Sequence, residues 1–459
     1  MLDTTAISNL SQRIPSDFIV GAATASWQIE GDSAGRGRSI WDDFADVPGN
    51  IKGGSKADPA CDHVNRYQED LNLLANLGVD AYRFSFSWPR VKPGNKNVSE
   101  KGMDFYERLI DGLLERGIKP VATLYHWDLP SELEQAGGWL NKDIYGHFAD
   151  YAGLMSEKFA DRIEMWATFN EPWVSAFLGY ATKIHAPGLG VPSAGIEAAY
   201  NLMVSHGYAM EALRSNDAKN AGIVLNLTSV IADDPEVSHV ADHVDALQNR
   251  FWLDLLAGRG IDQKLIDATA SVTDWSFVSQ EDVKRTSAKI DWLGINYYTP
   301  FRLLAAETAG DSGAVGQDFS LFPGAPSGAT MKPLEPKTEM GWEIHAPSLT
   351  TTLQQASEKL PDVPLYITEN GGAFPDAVVD GQVNDTGRID YYLHHINAAL
   401  DARGKGVDLR GYFAWSLIDN IEWAEGLTKR FGIVHVDHST QLRTPKQSYY
   451  MLKELIASR

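Results

Sequence analysis

The chain has 459 residues, 44% hydrophobic and 22% charged, an ordinary globular composition long enough to bury a large core. Its 61 acidic residues outweigh 40 basic ones for a net charge of −21, which argues against nucleic acid, an anionic membrane or a polyanionic substrate as the main partner and is compatible with a neutral one. The single cysteine, Cys61, excludes an intramolecular disulfide and a cysteine-rich metal cage, and reads most simply as a buried small residue.

The opening residues, MLDTTAISNLSQRIPSDF, carry no basic n-region and no long apolar run, so no secretory signal is read there. No stretch approaches the roughly 20 apolar residues of a membrane span, and a cytoplasmic protein is expected. Short apolar, β-branched or aromatic runs bounded by Gly, Pro or Asp then recur. They are Phe18–Ala22, Ala81–Trp88, Pro120–Trp127, Glu164–Asn170, Ala221–Leu227, Ile290–Tyr298, Pro364–Asn370 and Leu409–Leu417. Helical patterns lie between them, at Asp70–Leu77, Asp104–Arg116 with Gly117 as its stop, Tyr145–Phe159 and Leu247–Leu256. In Asp104–Arg116 the apolar positions are Leu109, Ile110, Leu113 and Leu114. Alternation of this kind implies a parallel sheet. Eight units predict an α/β fold, a single closed (β/α)₈ TIM barrel with elaborated βα loops. With no Pro- or Ser-rich linker, residues 1–459 are read as one domain. Ala305–Thr330, rich in Gly, Ala and Ser, reads as a long loop after the sixth strand, on the active face.

Barrel enzymes draw their reactive groups from strand C-termini. Here the third strand ends in Tyr125-His126-Trp127-Asp128 and the fourth in Thr168-Phe169-Asn170-Glu171-Pro172. The sixth ends in Asn296-Tyr297-Tyr298, the seventh in Thr368-Glu369-Asn370-Gly371 and the eighth in Trp415-Ser416. Strands four and seven lie on opposed sides of a barrel mouth, so Glu171 and Glu369 would face each other. Cleavage of a glycosidic bond needs such a pair: one carboxyl protonates the leaving oxygen, and the other attacks the anomeric carbon or activates water. Their repulsion would raise the proton affinity of one and leave the other ionised.

TFNEP at 168–172 and ITENG at 367–371 resemble the two defining motifs of family 1 of the glycoside hydrolases, the β-glucosidase family. The resemblance continues through FIVGAATASWQIEG at 18–31, YRFSFSW at 82–88, LYHWDLP at 124–130, GINYYTP at 294–300, WSLIDNIEWAEG at 415–426 and KRFGIVHVD at 429–437. It implies a retaining exo-β-glycosidase without cofactor or metal. Glu171 would be the acid/base and Glu369 the nucleophile, their carboxyl groups about 5–5.5 Å apart. Tyr298 would donate a hydrogen bond to Glu369 and Arg83 would keep it ionised. Asn170 would hold the 2-hydroxyl of the sugar. Gln28, His126, Glu422 and Trp423 would read the remaining hydroxyls over a floor made by Trp415. Asn296 joins them as a substrate-site residue from the end of its strand. Trp173 and Trp342 would flank the aglycone.

Glu rather than Gln at 171 separates the chain from the thioglucosidase branch of the family. Glu422 and Phe431 stand where the 6-phospho-glycosidase branch builds its anion pocket, although Lys429 is present, so neutral sugars are expected. The expected partners are small β-glycosides or short β-linked oligosaccharides, with no nucleic acid or membrane, and a homo-oligomer is compatible with the sequence. The alternatives are a 6-phospho-β-glycosidase, a barrel that binds sugars without cleaving them, and a metal-dependent barrel hydrolase. His239 and His243 have helical spacing, but HVADH lacks the Glu of a zinc protease motif and reads as a solvated segment near Asp233, Asp234 and Asp242. Neither a GxGxxG turn after a strand nor a phosphate loop occurs.

Overall fold

The computed structural model describes residues 4–306 and 314–459. Eight parallel strands close into a barrel: β1 (Ile19–Ala23), β2 (Ala81–Ser85), β3 (Lys119–Tyr125), β4 (Met165–Asn170), β5 (Ala221–Leu225), β6 (Trp292–Asn296), β7 (Leu365–Asn370) and β8 (Leu409–Trp415). Each falls within two residues of the run that predicts it except β2, which ends three residues before Trp88. Neighbours in sequence are neighbours in the barrel, and β1 closes it against β8 with Ile19 opposite Gly411 and Ala23 opposite Trp415. At Gly294 of β6 an added Cβ would lie 2.7 Å from Thr368 Oγ1 and Val224 Cγ2, so only glycine lets β5, β6 and β7 approach this closely.

Helices form the outer ring, among them His63–Leu77, Glu100–Glu115, Ile144–Phe159, Pro192–Ser215, Ala346–Lys359, Thr386–Gly404 and Gln447–Ala457. Glu100–Glu115 shows how the pattern works. Ser99 accepts a hydrogen bond from the Gly102 N–H to start the helix, and Leu109, Ile110 and Leu113 are buried. Leu114, read with the apolar stripe, faces outward at 42% exposure.

The structure corrects three expectations. Leu247–Leu256 is not one regular helix: a π-helical turn, Ala246–Arg250, precedes an α-helical Phe251–Leu256. The segment read as a long loop after β6 begins and ends in strand. Phe301–Ala305 pairs antiparallel with Ala329–Met331 and parallel with Val230–Ala232, forming a small sheet separate from the barrel. Residues 307–313 of that reading lie outside the described residues. His243 is not solvated. It is 5% exposed, with Nε2 3.0 Å from the Pro323 carbonyl. Cys61 is buried, as read. No helix among the described residues is long and apolar enough to cross a membrane.

Candidate active site

Both glutamates stand where the barrel ladder breaks register. The β4–β5 pairing shifts between Ala167 and Asn170, just before Glu171, and the β6–β7 pairing shifts between Ile367 and Glu369. Such irregularities re-aim side chains at barrel rims. The chain then turns at Glu171 with φ of 44°, left-handed backbone that costs a non-glycine residue about 1–3 kcal/mol. The strain is held by main-chain bonds from Glu171 N–H to Val224 and from Val174 N–H to Glu171, each 2.9 Å. Trp127 and Trp423 share this conformation, at φ of 77° and 45°. Directly after Pro172 and Trp173 the chain runs into a π-helix, Val174–Ala181, which floors this side of the mouth.

Arg83 of β2 reaches up the barrel axis and donates from Nη1 to Glu369 Oε1 at 2.6 Å and from Nη2 to Asn170 Oδ1 at 2.6 Å. The Tyr298 hydroxyl donates to the other oxygen of Glu369, also at 2.6 Å. Asn296 Nδ2 donates to Glu171 Oε1 at 2.6 Å and to Asn170 Oδ1 at 3.0 Å, and the Thr368 hydroxyl fixes the Asn296 amide by donating to its Oδ1. Because Arg83 can only donate, Asn170 must present Oδ1 to it. Asn170 Nδ2 therefore faces His126 Nε2 at 3.0 Å, which makes Nε2 the acceptor and leaves the imidazole proton on Nδ1. That Nδ1 has no protein partner, nor do Gln28 Oε1 and Glu422 Oε2. Gln28 Nε2 is engaged by Asn420 Oδ1 and the Ile421 carbonyl. A donor on His126, an acceptor on Gln28 and the Glu422 carboxyl are thus left over for hydroxyl groups.

Electrostatics separate the two carboxyls. Burial pushes the Glu171 carboxyl well above the ordinary range, and the charge on Glu369 pushes it further. Burial raises Glu369 as well, but Arg83 and Tyr298 bond to its ionised form and oppose the rise. A proton shared by the pair therefore rests on Glu171. Burial beside Arg83 keeps His126 neutral. Glu422 is pushed up to about 8 by burial, then by Glu369 and Glu425. Glu425 itself is paired with Lys52 at 2.7 Å.

These groups open into a cavity of about 180 Å³. Glu171, Glu369, His126, Asn296, Tyr298, Trp415, Glu422, Trp423, Trp173 and Trp342 all line it. Arg83 and Asn170 bond to that wall at Glu369 and His126, and Gln28 bonds to Asn420 and to the Ile421 carbonyl next to Glu422. Trp173 packs on Phe322 and Trp342 on Phe431 and Tyr298. Lys429 is turned away to the Glu339 carbonyl at 2.6 Å. Sequence reasoning passed over Trp127, whose Nε1 donates to the Asn170 carbonyl at 2.9 Å and whose ring lies 4.3 Å from that of Trp423. Strand alternation would send Trp127 to the opposite side from His126, and only its positive φ brings both to the cavity. Among the described residues no cluster of three or more His, Cys, Asp or Glu is placed to hold a metal ion.

Residues 10–459 match the sequence model of Glycosyl hydrolase family 1. The chain belongs to that family. It is 42% identical over 447 residues to a beta-glucosidase from Agrobacterium sp. (strain ATCC 21400), covering 96% of this chain and 95% of the relative. It is 41% identical over 457 residues to a bifunctional beta-D-glucosidase/beta-D-fucosidase from Bifidobacterium breve, covering 96% and 98%. The crystal structure of a psychrophilic beta-glucosidase from Micrococcus antarcticus superposes with a TM-score of 0.93 at 41% identity, covering 98% of each chain. This family 1 protein is therefore an O-glycoside hydrolase.

Proposed function

We propose that the enzyme is a retaining exo-β-glycosidase, a β-glucosidase that also accepts galactosyl or fucosyl groups, with residues 1–459 acting as one catalytic unit. The observation that carries this reading is the pair Glu171 and Glu369 in one cavity, each with different partners. Glu369, its charge held by Arg83 and Tyr298, attacks the anomeric carbon. Glu171, kept protonated by burial, gives its proton to the glycosidic oxygen as the carbon–oxygen bond breaks. The covalent glycosyl ester is then attacked by water that Glu171, now ionised, deprotonates, and Glu369 leaves. A sugar or alcohol in place of water gives transglycosylation from the same ester. The unused Nδ2 hydrogen of Asn170 serves the 2-hydroxyl, while His126 Nδ1, Gln28 Oε1 and Glu422 Oε2 serve the others.

Neutral sugars, cellobiose among them, are favoured over 6-phospho sugars because Lys429 is engaged by the Glu339 carbonyl. The reading puts the enzyme in the cytoplasm, supported by the single buried thiol. Proton NMR of aryl β-D-glucoside hydrolysis tests it. β-Glucose must appear first and mutarotate later. α-Glucose as the first product would mean inversion, and tight binding without turnover would favour a sugar-binding barrel.

A further inference from the structure

One buried hydroxyl from the outer ring reaches the catalytic layer. Tyr391 sits in the helix Thr386–Gly404, is 1% exposed, and its ring stacks on His395 at 3.8 Å. Its hydroxyl donates to the Tyr298 carbonyl and accepts from Asn370 Nδ2, each at 3.1 Å. Asn370 Nδ2 also donates to the Tyr297 carbonyl at 2.6 Å, and Asn370 Oδ1 accepts from the Tyr412 hydroxyl at 2.6 Å. The Tyr297 N–H bonds the Glu369 carbonyl at 3.0 Å. Both Nδ2 hydrogens of Asn370 are thereby spent, one on the Tyr297 carbonyl and one on the Tyr391 hydroxyl, which ties residues 297–298 to the end of β7. Of the side-chain groups in this set, only the Tyr391 hydroxyl touches the main chain of Tyr298, the residue whose phenol donates to Glu369.

We infer that Tyr391 is a positioning residue for catalysis, its hydroxyl bridging Asn370 to the Tyr298 carbonyl so that the Tyr298 phenol is held on Glu369. This rests on the reading of Glu369 as nucleophile. Tyr391 touches neither the cavity nor Glu369 and acts through Tyr298. The charged and titratable groups that face Glu369 are Arg83 from β2, Glu171 after β4, Tyr298 after β6 and Glu422 after β8. None of them is removed when Tyr391 loses its oxygen. A looser Tyr298 phenol stabilises the ionised form of Glu369 less, so the acid limb of activity moves to higher pH.

The test is a double-mutant cycle with Tyr391→Phe and Tyr298→Phe, read as kcat/KM against pH on an aryl β-glucoside. The phenylalanine keeps the ring on His395, so folding is retained. Tyr391→Phe alone is expected to lower kcat/KM by about tenfold, the effect of one lost buried hydrogen bond, and to raise the acid limb by roughly half a unit. In the Tyr298→Phe background the same change is expected to cost less than about twofold, because its route to Glu369 is already cut. Equal losses in both backgrounds would show a merely structural hydroxyl and overturn the proposal. A normal acid limb in Tyr391→Phe alongside a shifted one in Tyr298→Phe would also overturn it, leaving the nucleophile reading intact. Normal limbs in both variants would overturn the proposal and the assigned pairing of Tyr298 with Glu369 together.

Discussion

Glu171 and Glu369 are the same side chain made different by neighbours. Glu369 meets a guanidinium and a phenol, whereas Glu171 meets one amide and an apolar wall. Glu171→Ala should therefore lower kcat/KM by about 10²–10⁴ on substrates with poor leaving groups and far less on activated aryl glucosides, which leave without a proton. Equal losses on the two classes would remove its acid role. Activity should fall as pH rises through the raised Glu171 value. Glu422 makes a second prediction. It is pushed up to about 8 in the folded state, well above an unfolded glutamate near 4.3. Between those values the folded state holds a proton that the unfolded chain has lost, so this residue's contribution to stability is intact below the unfolded value and drains away as pH rises. Glu422→Gln, which cannot ionise, should melt several degrees above wild type at pH 8 and level with it at pH 4. Thermal melts across that range decide it; a pH-independent gap contradicts it.

At the scale of elements, the loops after β7 and β8 carry the residues that follow Glu369 and the segment with Glu422 and Trp423. The first touches the end of β8 directly: a Cβ at Gly371 would lie 1.9 Å from the Trp415 carbonyl. A buried ionic network ties both loops to the C-terminal helix. Lys446, 0% exposed, bonds Asp376 of the first loop and reaches Asp419 of the second at 2.7 Å. Arg388 bonds Asp376 and Asp385, and Arg430 bonds Asp419. Three cations thus meet three carboxylates. Buried charge of this kind is tolerated only when fully paired, so Lys446→Met should destabilise the fold by about 3–5 kcal/mol, read as a lowered midpoint in urea. An unchanged midpoint would mean that water reaches the cluster.

Across the whole molecule, what sequence made legible is what is local. Runs such as Ala81–Ser85 announce a buried parallel strand because both faces are covered and every residue is apolar or engaged inside the barrel. Glu171 and Glu369 were legible because the residues around them form short motifs at strand ends. Pairings between distant segments were not. Phe301–Ala305 finds its partner 24 residues or more away across a Gly- and Ser-rich stretch, so its strand character has no local sign. Lys446 reads as one more surface lysine until the fold brings Asp376 to it across 70 residues. Tyr391 reads as a core aromatic of a helix, and only its hydroxyl's partners reveal more. His243 looked solvated because three aspartates lie near it in sequence, yet the helix turns it inward to Pro323.

The central claim, a covalent double displacement with Glu369 as nucleophile, is tested most directly by turnover of an aryl β-D-glucoside by wild type and by Glu369→Ala, with and without azide. The account predicts active wild type, a dead variant, and rescue by azide to give the α-glucosyl azide, because azide enters from the face that the carboxylate has vacated. A variant that retains substantial hydrolysis, or rescue that yields a product of β configuration, would contradict it.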